Sequence, residues 1–424
     1  MTNAAKKREL PYAKKYNSWR IRILYSIVIG YATFYFCRQN FNIAMPILMD
    51  HFSTSKTQIG WILSTASIIY GIGKLCNGFF SDRANARVFM VVGLVVVGII
   101  TFISGFAKSI TLLGVLWIIN NWFQSMGWPP ASKMLTHWYA QKELGMKWAL
   151  GATSNQIGGA ITMVVCGYLV ESYGWEMAFI VPGIVAILVS IFLLNRLRSS
   201  PQDLGLPVVE EYKDCEIPDS RQTSLLTHEL FRIVFYNRLI WYICLTNMCI
   251  YIVRLGIIFW IPAFLYQLKN VSLSSAGWQV ASYEILGLVG GIMAGWMSDK
   301  MFRGKRGPVG AMFMLGLVVT LLLFWRIPNE HNILSMIILA LMGFFAAGPQ
   351  ILVGVATADF TNKQAVGTAN GLAGLFGYLG SALAGVCVGW IVDNSGWDGV
   401  FIFFIFSALT GMAFFILTWL HDAK

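Results

Sequence analysis

Apolar residues fall into twelve runs, at 22–46, 57–80, 88–107, 110–134, 146–170, 174–197, 238–266, 275–297, 308–327, 333–356, 365–391 and 397–420. A helix of about 20 apolar residues crosses a hydrocarbon core, so each run predicts one span. Short polar links separate them, except at 198–237, where RSSPQDLGLPVVEEYKDCEIPDSRQ is too charged and too proline-bearing to insert. The pattern predicts an all-α membrane protein with twelve transmembrane helices in two six-helix pseudo-symmetric halves, 1–197 and 238–424. Residues 198–237 are the linker between them.

Composition agrees, with 57% hydrophobic and 12% charged residues against the roughly 25% charge of a soluble domain. The net charge of +11 does not point to nucleic acid, because the basic residues are sorted by link. Seven lie in residues 1–22, and most others lie in the even-numbered links, among them Arg83, Arg87, Lys133, Arg196, Arg198, Lys300, Arg303, Lys305 and Arg306. The odd-numbered links hold only Lys56, Lys108, Lys269 and Arg326. Positive charge is retained on the cytoplasmic side, which predicts cytoplasmic termini and a cytoplasmic linker. The first apolar run continues into Arg38 without a small-residue cleavage site, so it does not read as a cleaved signal.

Three cations fall well inside apolar runs, away from their ends: Arg38, Lys74 and Arg254. A cation at membrane depth costs about 3 kcal/mol or more, and such residues usually face a polar cavity. The two arginines are related by an internal repeat. YFCR at 35–38 matches YIVR at 251–254, an offset of 216, and GFFSDRANAR from 78 matches GWMSDKMFRGKR from 295, an offset of 217. Repeated halves with a ligand site at the midplane are a recurring transporter design. Glu284 is the only acid near the middle of a run and cannot neutralise all three cations, so the excess charge predicts an anion site.

Other residues read two ways. Lys74 either joins the site or extends toward the cytoplasmic face. Tyr31, Tyr35 and Arg38 share one helix face, and Tyr251 precedes Arg254 by a turn. These tyrosines, with Tyr70 and Tyr378, either donate to a ligand or simply pack. Glu284 is either an exchangeable partner of Arg254 or Lys74, or static glue between helices. Asp82, Arg83, Asp299 and Lys300 form either a conformational latch of ion pairs or a plain topogenic charge cluster. The seven cysteines, Cys215 of the linker included, contain no CxxC pair. The five histidines have neither metal-ligand spacing nor a nearby nucleophile, and no P-loop is present. Neither an enzyme, a metal nor a cofactor is expected.

The twelve runs, the central linker and the G-x-x-x-D-R/K link resemble the major facilitator superfamily. More narrowly, GYATFYFCRQNF, GWPPASKMLTHWYAQKELG, SPQDLGLP, GWMSDKMFRGKRG and GLFGYLG resemble the organophosphate:phosphate antiporters. That resemblance implies that Arg38 and Arg254 clamp phosphate, that Lys74, Tyr35 and Tyr251 belong to the site, and that the protein is a monomer. It also implies exchange of an organophosphate, foremost a hexose 6-phosphate, for inorganic phosphate across a bacterial inner membrane. Glycerol 3-phosphate transport is the alternative. A second alternative is a sugar-phosphate sensor signalling to a membrane histidine kinase, because KMLTHWY and SPQDLGLPVVEE resemble that branch as well. Asn155 stands where related transporters carry a histidine, so it can bond phosphate without titrating. Phe259, Ala347, Asn370 and Ala373 also depart from particular relatives.

Overall fold

The computed structural model describes residues 12–213, 233–328, 331–361 and 365–422. Part of the expected linker, with Cys215, Arg221 and His228, lies outside the described residues, as does Lys363. The first span is split into α1 (Ala13–Phe36) and α2 (Asn40–His51). Next come α3 (Lys56–Arg83) and α4 (Ala86–Ser104). The fourth span is split into α5 (Ile110–Gln124) and α6 (Trp128–Trp138). Two further helices, α7 (Gln141–Tyr173) and α8 (Met177–Arg196), complete the first half. A short α9 (Val209–Lys213) follows in the link. The second half contains α10 (Arg238–Gln267), α11 (Leu273–Lys300), α12 (Arg306–Arg326) and α13 (Asn332–Asp359). Its last two spans form α14 (Val366–Asp422), which turns at Gly396, where φ is 72°. An L side chain rarely adopts that backbone, which is why glycine serves there.

Local chemistry sets several boundaries. Ser55 and Gln58 form a reciprocal capping box at the start of α3. Pro129 and Pro130 open α6 and leave the turn before it without the usual amide donors. Asn77 covers that break, donating to Ser125 Oγ at 2.7 Å and to the Trp122 carbonyl at 3.2 Å. In the break of the first span, the Cys37 carbonyl accepts from Asn120 Nδ2 at 3.4 Å. No proline or glycine lies at positions 37–39, so local sequence does not announce this second break.

Eight described helices are by themselves long and apolar enough to cross a membrane, α14 being long enough for two spans. The first, fourth and fifth spans fall short. Two are broken, and α7 is diluted by Thr153, Ser154, Asn155 and Gln156. These same three spans carry polar groups into the space between the halves. Irregular or polar helix is tolerated at membrane depth where it lines such a cavity.

The halves meet through α3 against α14 and α7 against α11. At the end away from the termini they are sealed. A Cβ on Gly60 would sit 2.6 Å from the Gly385 carbonyl oxygen, and one on Gly167 would sit 2.7 Å from that of Leu273. Two carboxylates lock this end reciprocally. Asp393 of the second half accepts from Thr57 N at 2.8 Å and Thr57 Oγ1 at 2.6 Å, at the N-terminus of α3. Glu171 of the first half accepts from Ser274 N at 2.8 Å, at the N-terminus of α11. Each thus satisfies a free amide at a helix start belonging to the other half. Toward the termini the helices part, and a Cβ on Gly78, Gly145, Gly367, Gly371 or Gly374 would meet nothing within 4 Å.

Candidate functional site

A cavity with about 820 Å³ of empty space, its mouth included, lies between the halves. Both intramembrane arginines line it, one from each half. Arg38 sits in the break between α1 and α2, where its amide bonds the Tyr35 carbonyl at 3.0 Å. Its guanidinium carbon lies 3.8 Å from the Tyr70 ring centroid and 5.4 Å from that of Tyr35. A desolvated cation over an aromatic face gains about 2 kcal/mol, which offsets part of its burial. Arg38 has no acid partner among the described residues. Its donor fork therefore remains available to an anion.

Arg254 lies within the unbroken α10. Its guanidinium is 3.8 Å from a Glu284 carboxylate oxygen, a loose pair. Glu284 is 3% exposed and accepts from Gln39 Nε2 at 3.0 Å, so one carboxylate joins the two halves. Tyr251 Oη accepts from Gln350 Nε2 at 3.1 Å, and its ring lies 5.8 Å from that of Tyr378.

Of the ten residues expected at the site, Tyr35, Arg38, Asn155, Tyr251, Arg254, Glu284 and Tyr378 line this cavity. Tyr31 and Tyr70 stand behind the lining. Tyr31 packs edge-on to Tyr35 at 5.4 Å and tilted against Trp128 at 5.0 Å. Tyr70 underlies Arg38 and lies 5.0 Å from Tyr378. Lys74 is brought elsewhere: it is exposed, on the open side of the cavity, with Nζ 5.5 Å from the Tyr378 ring. A lysine one turn beyond Tyr70 on α3 reaches the mouth, where water solvates it. Ala347 is buried, Asn370 accepts from Thr357 Oγ1 at 2.5 Å, and the Ala373 carbonyl accepts from Asn247.

Gln39, Asn42, Ser67, Asn121 and Gln350 also line the cavity and were not singled out from the sequence. Their signal was available, as uncharged polar residues inside apolar runs. Such residues also make ordinary helix contacts, and only the folded arrangement separates the two uses.

The latch residues divide. In the second half Arg306 pairs with Asp299 at 2.5 Å and Asp359 at 2.9 Å, joining the ends of α11 and α13 to the start of α12. Lys300 makes no ion pair among the described residues. In the first half Arg83 bonds the Phe79 carbonyl at 3.2 Å and covers the Phe79 ring, and meets no acid among the described residues. Asp82 contributes its carbonyl to Lys133 Nζ, at 2.8 Å. Lys133 also holds the carbonyls of Ser81 and Ala84, closing the C-terminus of α3.

A helical bundle of this shape, with an anion-ready cavity between two related halves, has the architecture of a secondary transporter. The family model of the Major Facilitator Superfamily matches residues 27–328 and 269–424. A probable hexose phosphate transport protein of Chlamydia pneumoniae is 40% identical over 421 residues, covering 96% of this chain and 92% of that protein. The membrane sensor protein UhpC of Escherichia coli is 37% identical over 407 residues, covering 95% and 92%. Among solved structures, a bacterial homolog of the human lysosomal transporter Spinster, inward-facing and unoccupied, superposes with a TM-score of 0.77 at 17% identity, covering 94% and 97%. The chain therefore belongs to the Major Facilitator Superfamily of membrane transporters, beside relatives named for hexose phosphate and glycerol-3-phosphate transport.

Proposed function

We propose that the protein is a bacterial inner-membrane antiporter that exchanges an organophosphate, foremost a hexose 6-phosphate, for inorganic phosphate by alternating access. The carrying observation is that each half presents one arginine to a shared cavity whose one acid among the described residues is Glu284. Two guanidiniums match a phosphate dianion with parallel charge-assisted hydrogen bonds. The Chlamydia relative, named for hexose phosphate transport, supports the organic substrate. The moving bodies are residues 1–197 and 238–424, linked through 198–237. The chain works as a monomer with cytoplasmic termini, so the cavity opens to the cytoplasm here.

The mechanism follows from charge. In this state Glu284 partly neutralises Arg254, and Gln39 holds Glu284 across the halves. A phosphate arriving at Arg38 competes with Glu284 for Arg254. Once it bridges both arginines, the repulsion between them no longer opposes closure of the open end. Closure then releases the Asp393 and Glu171 caps at the far end. Unliganded closure brings the two cations together under incomplete neutralisation, and that asymmetry enforces exchange. Labelled-phosphate exchange in proteoliposomes tests the reading, with unlabelled glucose 6-phosphate inside. Normal exchange by an Arg38→Ala, Arg254→Ala double variant would sink it.

A second reading is supported by the sensor relative at 37% identity. A sensor would bind the same ligands and pass the state of the halves to a kinase. Saturable ligand binding without measurable flux selects that reading.

A further inference from the structure

Beyond its arginines, the cavity is lined by neutral carboxamides: Gln39, Asn42, Asn121, Asn155 and Gln350. Gln39, Asn42 and Asn121 are all at least 95% buried. Four of their oxygens, Gln39 Oε1, Asn42 Oδ1, Asn155 Oδ1 and Gln350 Oε1, are buried without a hydrogen-bond partner among the described residues. For two of these side chains the amide nitrogen is already committed. Gln39 Nε2 donates to Glu284 and Gln350 Nε2 to Tyr251, which leaves the oxygens as acceptors. Asn121 Nδ2 likewise donates to the Trp117 carbonyl at 2.9 Å. Asn42 lies in the first turn of α2, beyond Arg38 toward the sealed end.

Buried acceptors need donors. A hydroxyl donates; the dianionic phosphate of a monoester, a carboxylate and an alkyl group do not. Among the described residues the cations lining the cavity are the two arginines, and Lys74 stands at its mouth. A phosphate bridging the arginines uses both, so a second anionic group beside the carboxamides would meet no further cation among the described lining residues and would lie in the same cavity as Glu284. We propose that Gln39, Asn42 and Gln350 form a polyol subsite beside the arginines, which selects neutral polyhydroxylated phosphate monoesters over phosphorylated carboxylic acids and alkyl phosphates. This rests on the reading of Arg38 and Arg254 as the phosphate anchor. It goes further by assigning the discrimination to named side chains. A site that bonds substrate hydroxyls penalises an analogue without them, because its own buried polar groups are then left unpaired.

The test is ligand-dependent thermal stabilisation of the purified full chain, which requires no transport. The probes are inorganic phosphate, glucose 6-phosphate, 3-phosphoglycerate and butyl phosphate. Glucose 6-phosphate should act at a concentration at least about tenfold lower than 3-phosphoglycerate or butyl phosphate. Asn42→Ala should shrink that advantage by about tenfold, one hydrogen bond's worth. Should Asn42→Ala not fold, the wild-type ranking decides. Equal action by all three esters, or an Asn42→Ala variant that weakens every probe alike, overturns the subsite while leaving the phosphate anchor standing. If no probe stabilises the protein, both readings fall. If the ranking holds while labelled-phosphate exchange is absent, the antiporter reading falls and the subsite stands.

Discussion

Arg38 and Arg254 occupy matching places in the repeat, yet their surroundings differ. Arg38 sits in a break between two helices, between the faces of Tyr70 and Tyr35, with no acid beside it among the described residues. Arg254 sits in a continuous helix, 3.8 Å from a carboxylate that also holds the opposite half. Repeat symmetry conserved the charge but not the electrostatics. An arginine over aromatic rings keeps its hydrogen-bonding fork available, whereas one beside an acid must exchange partners. On the proposed mechanism the first captures the anion and the second registers its arrival.

The sharpest way to break this comparison is to remove the capturing arginine. Arg38→Ala should lower phosphate exchange by more than about 100-fold, since truncating one side of a desolvated charged contact typically costs 2–5 kcal/mol. Exchange rates in proteoliposomes check this, and a loss under tenfold would remove Arg38 from its role. Arg254→Ala should act first on stability. It leaves Glu284 buried without its counter-ion, at a cost of about 3–5 kcal/mol. Adding Glu284→Gln should recover most of the melting temperature in detergent without recovering exchange. If the double variant melts no higher than the single one, the pairing does not carry the effect.

Glu284→Gln alone separates the two roles further. With the competing carboxylate gone, labelled phosphate should bind about tenfold more tightly, whereas static glue predicts no gain. The smallest effect concerns the aromatic bed of Arg38. Tyr70→Leu should weaken phosphate binding about 5- to 30-fold, and Tyr70→Phe, which keeps the ring, by about threefold or less. Equal losses in both variants would assign the effect to the hydroxyl instead.

Much of this was legible in the sequence because membranes impose strict chemistry. A run of apolar residues must be a helix there, and an arginine within it must have a reason. The breaks were less legible. Pro129 and Pro130 mark one, but the turn at Arg38 has no local signature and depends on Asn120 from another helix. Lys74 shows the converse limit. Its position left two readings open, a site residue or a lysine extending toward the cytoplasmic face, and the fold carries it exposed with its amine 5.5 Å from the Tyr378 ring. The ion pairs at this end of the second half also needed three dimensions. Arg306, rather than Lys300, meets Asp299 and Asp359, because the acids come from the ends of two different helices.

By itself the sequence determined the class of fold, the number of spans, the repeat and the two arginines, since each follows from the cost of polarity in hydrocarbon. Which polar groups face one another was decided only by tertiary structure. Gln39 reaches Glu284 across 245 positions, and Asp393 caps the start of α3 across 336. No local pattern encodes such meetings. They arise because the two halves pack at one end and part at the other, leaving the buried carboxamides, the acid and the arginines around one shared space.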